Sequence, residues 1–241
     1  MIINQDTCIG CGQCVQYCPV RAITMTDQSF ALIAFDDCVE CGVCLRNSDC
    51  PTDSIEQNDC PWPRSIRVNF SNPLAEHKET RIPGRGTEEM KTNDVTGRFK
   101  NGEVGIAFEV GRPGIGARLF EVEKLTVAMA RLGIRLEPNN PLTHLIVDED
   151  KGLLNPEVLN EKVLSAIVEF TVPINRTEEV LISAKEIAST MGTVFSVDLI
   201  CKVEPDGSVP VVPFINNMGI PLSENGKNNL GLGKPLFMEE V

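Results

Sequence analysis

Nine of the ten cysteines in this 241-residue chain lie within its first 60 residues, and eight of those fall into two runs of closely similar spacing. The first is Cys8-x2-Cys11-x2-Cys14-x3-Cys18-Pro19, and the second is Cys38-x2-Cys41-x2-Cys44-x5-Cys50-Pro51. Each closes on a similar tail, CPVRAI at 18–23 and CPTDSI at 50–55, so the segment is an internal duplication with a period of about 30 residues. Dense cysteine serves either the disulfides of an exported scaffold or metal ligation, and spacing separates the two. The opening residues, MIINQDTC, carry no export pattern, which favours metal. Cysteines at i, i+3 and i+6 gather three sulfurs around one compact cage, as a cubic cluster requires, whereas zinc sites use separated pairs. A fourth thiolate must then come from farther along the chain. Gly10, Gly12 and Gly42 let the backbone run close to inorganic sulfide and turn N–H groups toward it.

At these residues the chain resembles the bacterial-type two-cluster ferredoxins, over residues 1–57. The resemblance implies two [4Fe-4S] clusters, one held by Cys8, Cys11, Cys14 and Cys50, the other by Cys38, Cys41, Cys44 and Cys18. Each run would lend its last cysteine to the other. The chain departs from the family in placing five residues, 45–49, where three are usual, and the longer insert is expected to bulge outward. Cys60, in DCPWP, is a rival fourth ligand. Cys201 alternates like a strand residue and reads as a buried structural thiol. Tyr17 and Phe35 read as packing in a small core. Residues 1–62 carry two arginines against nine carboxylates, a net −7, so a low reduction potential and a basic partner are expected.

Residues 58–101 read as an extended connector punctuated by Pro61, Pro63, Pro73 and Pro83, with an edge strand at 65–70, where Ile66, Val68 and Phe70 alternate. Its loop at 81–94 mixes Arg81, Arg85, Gly84 and Gly86 with Glu88 and Glu89. Residues 102–215 form an orderly larger domain. Alternation marks strands at 104–110, 143–150, 166–172 and 193–203, and an edge strand at 209–215 that contains Pro210 and Pro213. The 3.6-residue period marks a helix at 119–132 closing at Gly133, while cap signals open helices at 156–164 and 177–191. The chain is therefore expected to be α+β: the small ferredoxin module, then a split βαβ plait with two helices on one face. A doubly wound parallel sheet is the alternative. Residues 216–241 are a Gly/Asn-rich tail.

Between the first strand and its helix, Gly111, Arg112, Gly114, Gly116 and Arg118 could cradle an anion at a helix N-terminus, or could form a plain glycine turn. They match neither a dinucleotide fingerprint nor a P-loop. His77 and His144 stand apart from any nucleophile, and no acid–base pair is evident. A net charge of −12 disfavours nonspecific contact with nucleic acid or anionic lipid, and no apolar run is long enough for a membrane helix. The chain is expected to be cytoplasmic. The reading is an electron-transfer protein or reductase subunit, similar to the iron–sulfur subunits of anaerobic reductases. It would serve a flavoprotein or metalloenzyme partner that its larger domain docks, with room for an oligomer. A reductase acting on an anionic substrate at residues 111–118, or a redox-linked sensor of a small ligand, are the rival classes.

Overall fold

The structure, a computed structural model, describes residues 1–84, 98–112 and 114–222. The chain begins as two small ribbons. Strand β1 (Ile2–Ile3) pairs antiparallel with β4 (Ile55–Glu56), closing the ends of the duplicated segment on each other. Between them lie helix α1 (Gln13–Gln16), the hairpin of β2 (Ile23–Met25) and β3 (Ala31–Ile33), and helix α2 (Val43–Asn47). Met1, Ala22, Ile23, Ala31 and Ile55 form a core that also takes in buried cysteines. The two extra residues of the second run are absorbed where α2 ends: it is one residue longer than α1, and Asp49 behind it takes a left-handed φ of 45°. Tyr17 and Phe35 are exposed rather than packed in this core, because its few inward positions are filled by aliphatic residues and cysteines.

Residues 65–70, expected as an edge strand, form helix α3 (Ser65–Ser71). The six residues satisfy two periods at once, since Ile66 and Phe70 are spaced i, i+4 as well as even-numbered. The helical choice wins because it buries two stripes. Ile66 and Phe70 enter the large core, and Arg67 and Ser71 face partners elsewhere.

The larger unit is built on three antiparallel strands in the order β10 (Ala166–Pro173), β5 (Glu103–Val110), β11 (Phe195–Cys201). Valine, isoleucine and phenylalanine at 104, 106, 108 and 110 turn one face of β5 into fully buried core. Phe108 meets Phe170 and Phe195 edge-on, each at 5.6 Å between ring centres. Helix α4 (Leu119–Arg131) lays Val122, Leu125 and Met129 on that core, and α5 (Thr177–Ala188) adds Val180, Leu181 and Ala184. Gly133, at φ 69°, ends α4 with the N–H of Ile134 reaching back to the carbonyl of Met129 at 3.0 Å. The opposite face is also buried, with Phe99 lying over Gly105 beside Ala107 and Ile167.

Other expected elements differ. The strand expected at 143–150 is shorter and lies outside the main sheet: a 3-10 turn at Thr143–Leu145 leads into β7 (Ile146–Asp148), which among the described residues pairs with β8 (Leu153–Leu154). The second strand of a split βαβ plait is therefore not in the sheet. A parallel doubly wound sheet does not form, because both neighbours of β5 run antiparallel to it. Asn155 does cap a start, accepting from the N–H of Glu157 at 3.0 Å, but only one 3-10 turn follows, Pro156–Val158. Beyond it, β9 (Lys162–Val163) pairs with β6 (Ala117–Arg118). Residues 209–215 are not an edge strand but lead into helix α6 (Val212–Asn217), where Pro213 sits in the first turn that needs no N–H donor.

The stretch expected as a connector is fastened on both sides. From α3, the Arg67 guanidinium donates to the carbonyls of Asp36 (2.9 Å), Cys38 (2.8 Å) and Phe35 (3.3 Å), and its Nε pairs with the Glu161 carboxylate. Ser71 Oγ accepts from the N–H of Leu164 at 2.9 Å, and Trp62 Nε1 donates to Glu157 at 2.8 Å. Lys162 completes the seam on Asp37 at 2.9 Å, and its hydrogen bond and charge hold the Asp37 carboxyl below the usual carboxylate range. Of the loop expected at 81–94, and of the tail beyond 216, residues 85–97 and 223–241 lie outside the described residues. Arg81 is exposed and approaches Glu76 at 3.7 Å.

Candidate metal centre

The duplication repeats atom by atom. Gly12 (φ 73°) and Gly42 (φ 68°) precede α1 and α2, which carry Cys14 and Cys44 on their buried sides. The N–H of Cys8 is tied to the carbonyl of Asn4 and that of Cys38 to the carbonyl of Ala34, both at 3.0 Å. In the tails, the Ala22 N–H donates to Cys18 Sγ at 3.1 Å and the Ser54 N–H to Cys50 Sγ at 3.4 Å. Arg21 (φ 55°) and Asp53 (φ 49°) make the same left-handed step in the two tails.

Two thiol-lined cavities result, one for each run, as a duplication should give. One is lined by Cys8, Cys11, Cys14 and Cys50 between Ile3 and Ile55. The other is lined by Cys18, Cys38, Cys41 and Cys44 between Ala22 and Val39. Cys60 lines neither and lies against the carbonyl of Asn58 at 3.6 Å. Among the described residues, no three Cys, His, Asp or Glu side chains converge as tightly as one metal ion demands. A tetrahedral zinc would hold its sulfurs about 3.8 Å apart, given Zn–S near 2.3 Å. Wider four-thiol cages suit a polynuclear cluster better than a single ion.

Burial pushes the thiols of Cys14, Cys38 and Cys41 up, and that of Cys44 up to about 12. Charge on the neighbouring cysteines adds to the cost, so these groups become thiolates when cationic metal displaces the protons. Burial also pushes the Cys50 thiol up, but hydrogen bonds from Thr52 and Ser54 outweigh it and leave that thiol below its ordinary value. The residues thus fit an iron–sulfur group on two counts, enclosed thiols and N–H donors on sulfur. The cavities differ in exposure: Cys11 is exposed, whereas Cys38, Cys41 and Cys44 are all buried.

Sequence reasoning missed Glu40. It occupies the place in the second run that Gly10 has in the first, and shares its left-handed backbone (φ 58° against 68°). It is fully buried, bonded by Arg64 Nε at 3.0 Å and by the amine of Met1. Arg64 in turn stacks over the Phe35 ring at 3.6 Å. Comparing the two runs position by position would have exposed this glycine-to-glutamate change as a charge with a partner elsewhere.

The turn at residues 111–118 is accounted for by crowding. A Cβ on Gly111 would sit 2.8 Å from the Leu164 carbonyl oxygen. One on Gly116 would sit 2.8 Å from that of Val163 and 3.3 Å from Val20, which lines the second cavity. Gly114 faces open space, and Pro113 lies outside the described residues. Arg112 is 3.9 Å from Glu109, and Arg118 donates to the Asn160 carbonyl at 2.6 Å. Gly116→Ala is expected to cost about 1–3 kcal/mol in urea unfolding, because φ 72° and the Val163 carbonyl both oppose a side chain. His77 is a core histidine, edge-on to Phe70 at 5.4 Å, with its pKa pushed down by burial. His144 sits in the 3-10 turn before β7.

A protein-family model described as a 4Fe-4S dicluster domain matches residues 1–57. The ferredoxin of Methanothermococcus thermolithotrophicus is 36% identical over 55 residues, which cover 22% of this chain and 88% of that protein. The chain belongs to the ferredoxin family. Ferredoxin-1 of Caulobacter vibrioides is 38% identical over 56 residues, 22% of this chain and 47% of that protein. The ferredoxin-type protein NapF of Haemophilus influenzae is 65% identical over 26 residues, 11% of this chain. The chain spans 15% of NapF's length and about half that of Ferredoxin-1. No solved structure matches significantly. Residues 1–57 are thus a ferredoxin-type iron–sulfur domain with a role in electron transfer. Among the described residues, no helix is long and apolar enough to cross a membrane.

Proposed function

We propose that this ferredoxin carries two [4Fe-4S] clusters and passes single low-potential electrons between them and a redox enzyme, a flavoprotein or metalloenzyme, docked by the larger α+β unit. Cys8, Cys11, Cys14 and Cys50 hold one cluster; Cys18, Cys38, Cys41 and Cys44 hold the other. What carries this reading is the crossed lining of the two cavities, three thiols from one run and the fourth from the other. When bound, each cluster supplies reversible one-electron storage. The polypeptide does the rest. The N–H groups of Ala22 and Ser54 hold Cys18 and Cys50 in place. The exposed Cys11 edge is where exchange with a partner takes place.

Nine carboxylates against two arginines in residues 1–62 favour a basic docking face on that partner, with association slowing as salt rises. The test is turnover under strict anaerobiosis. The chain alone, given flavin and candidate anionic substrates, should show none, and electrons should leave only to a second protein. Substrate reduction by the isolated chain would overturn the assignment in favour of an enzyme.

A further inference from the structure

The two halves of the duplication differ in charge where they are otherwise alike. Position 46, in α2, corresponds to position 16 in α1, and the residues are Arg46 and Gln16. Arg46 folds back over its own run: Nη2 donates to the carbonyl of Cys41 at 2.7 Å and Nη1 to Asn72 at 3.2 Å. A Cβ on Gly42 would lie only 2.4 Å from that Nη1, so the guanidinium covers the backbone of the second run. Arg67 donates to the carbonyl of Cys38 in the same loop. Among the described residues, no side chain donates to the carbonyls of Cys8 or Cys11. Gln16 makes no such contact.

The carboxylates near the second cavity are both paired: Glu40 with Arg64 and the Met1 amine, Glu161 with Arg67. Arg46 has no carboxylate partner among the described residues, and its charge adds to that of the Met1 amine, which lines the second cavity and shares Glu40 with Arg64. A cation beside a buried site favours the reduced, more anionic state, and the low dielectric that makes burial costly also magnifies its field. We infer that Arg46 raises the reduction potential of the second site above that of the first, so that electrons entering at the exposed site come to rest at the enclosed one. This rests on the two-cluster reading above.

The experiment is an anaerobic, spectroscopically monitored redox titration of the full chain and three variants. The native protein should reduce in two separate one-electron steps. Arg46→Gln, which gives the second run the residue of the first, should lower the higher step toward the other and leave the lower step in place. Arg46→Lys, which keeps the charge, should restore most of the separation. Gln16→Arg should raise the lower step. Arg46 and Gln16 are both exposed, so the fold should tolerate these changes. The inference is overturned if the native steps coincide, or if Arg46→Gln moves neither step, both equally, or the lower one. About eight irons per chain with coincident steps would end this inference alone. Zinc, or about four irons, would end the two-cluster reading beneath it.

Discussion

Cys41→Ala is expected to halve the iron content of the anaerobically prepared protein, from about eight to about four per chain, and to erase one of its two redox steps. Cys41 lines the second cavity, and burial has already pushed its thiol up, so removing it leaves three enclosed thiols with too little metal to justify losing their protons. The first cavity shares no lining cysteine with it and should keep its iron. Cys201→Ala is the control. That thiol ends β11 at the far side of the larger unit and lines neither cavity. Equal iron loss from the two variants would contradict the ligand sets.

Arg67→Ala is expected to be the most damaging change outside the cysteines, lowering unfolding stability by about 3–5 kcal/mol. Its side chain is 4% exposed and satisfies three carbonyls of the cysteine module together with the Glu161 carboxylate of the larger unit. Truncation strands the carbonyls of Asp36 and Cys38 and the Glu161 carboxylate in that seam, while Phe35 keeps its bond from Arg64. Arg67→Lys should recover little, since one ammonium cannot span a forked set of partners. Replacing both members, Arg67→Met with Glu161→Leu, should recover more by removing the orphaned charge. Arg81→Ala, whose side chain is 80% exposed, should change urea unfolding by less than about 1 kcal/mol. If Arg67→Ala proved as mild as Arg81→Ala, α3 would not be what joins the two units.

The cysteine runs were legible because ligation fixes spacing before any fold is known. The helix at 119–131 and the strand at 166–172 were legible because their periods extend over enough residues to exclude the alternative. Short segments were not. In 65–70, alternation and i, i+4 spacing coincide, and the helix is chosen by Arg67 and Ile66 finding partners on opposite sides. Pro213 marks a first helical turn as readily as an edge strand, and only the burial of Val211 and Ile215, four apart, decides it. The glycines at 111 and 116 resemble an anion cradle, yet the neighbouring carbonyls that exclude a Cβ come from Leu164 and Val163, some fifty residues away. Glu40 was hidden because its partners, Arg64 and the amine of Met1, are distant in sequence.

The proposed pair of four-iron cages built from crossed cysteine sets underlies every functional prediction above. The most direct measurement is the metal and acid-labile sulfide content of the full chain purified without oxygen. About eight irons and about eight sulfides per polypeptide, with no stoichiometric zinc, is the expected result. Zinc in the thiol cages, or about four irons or fewer, would contradict it.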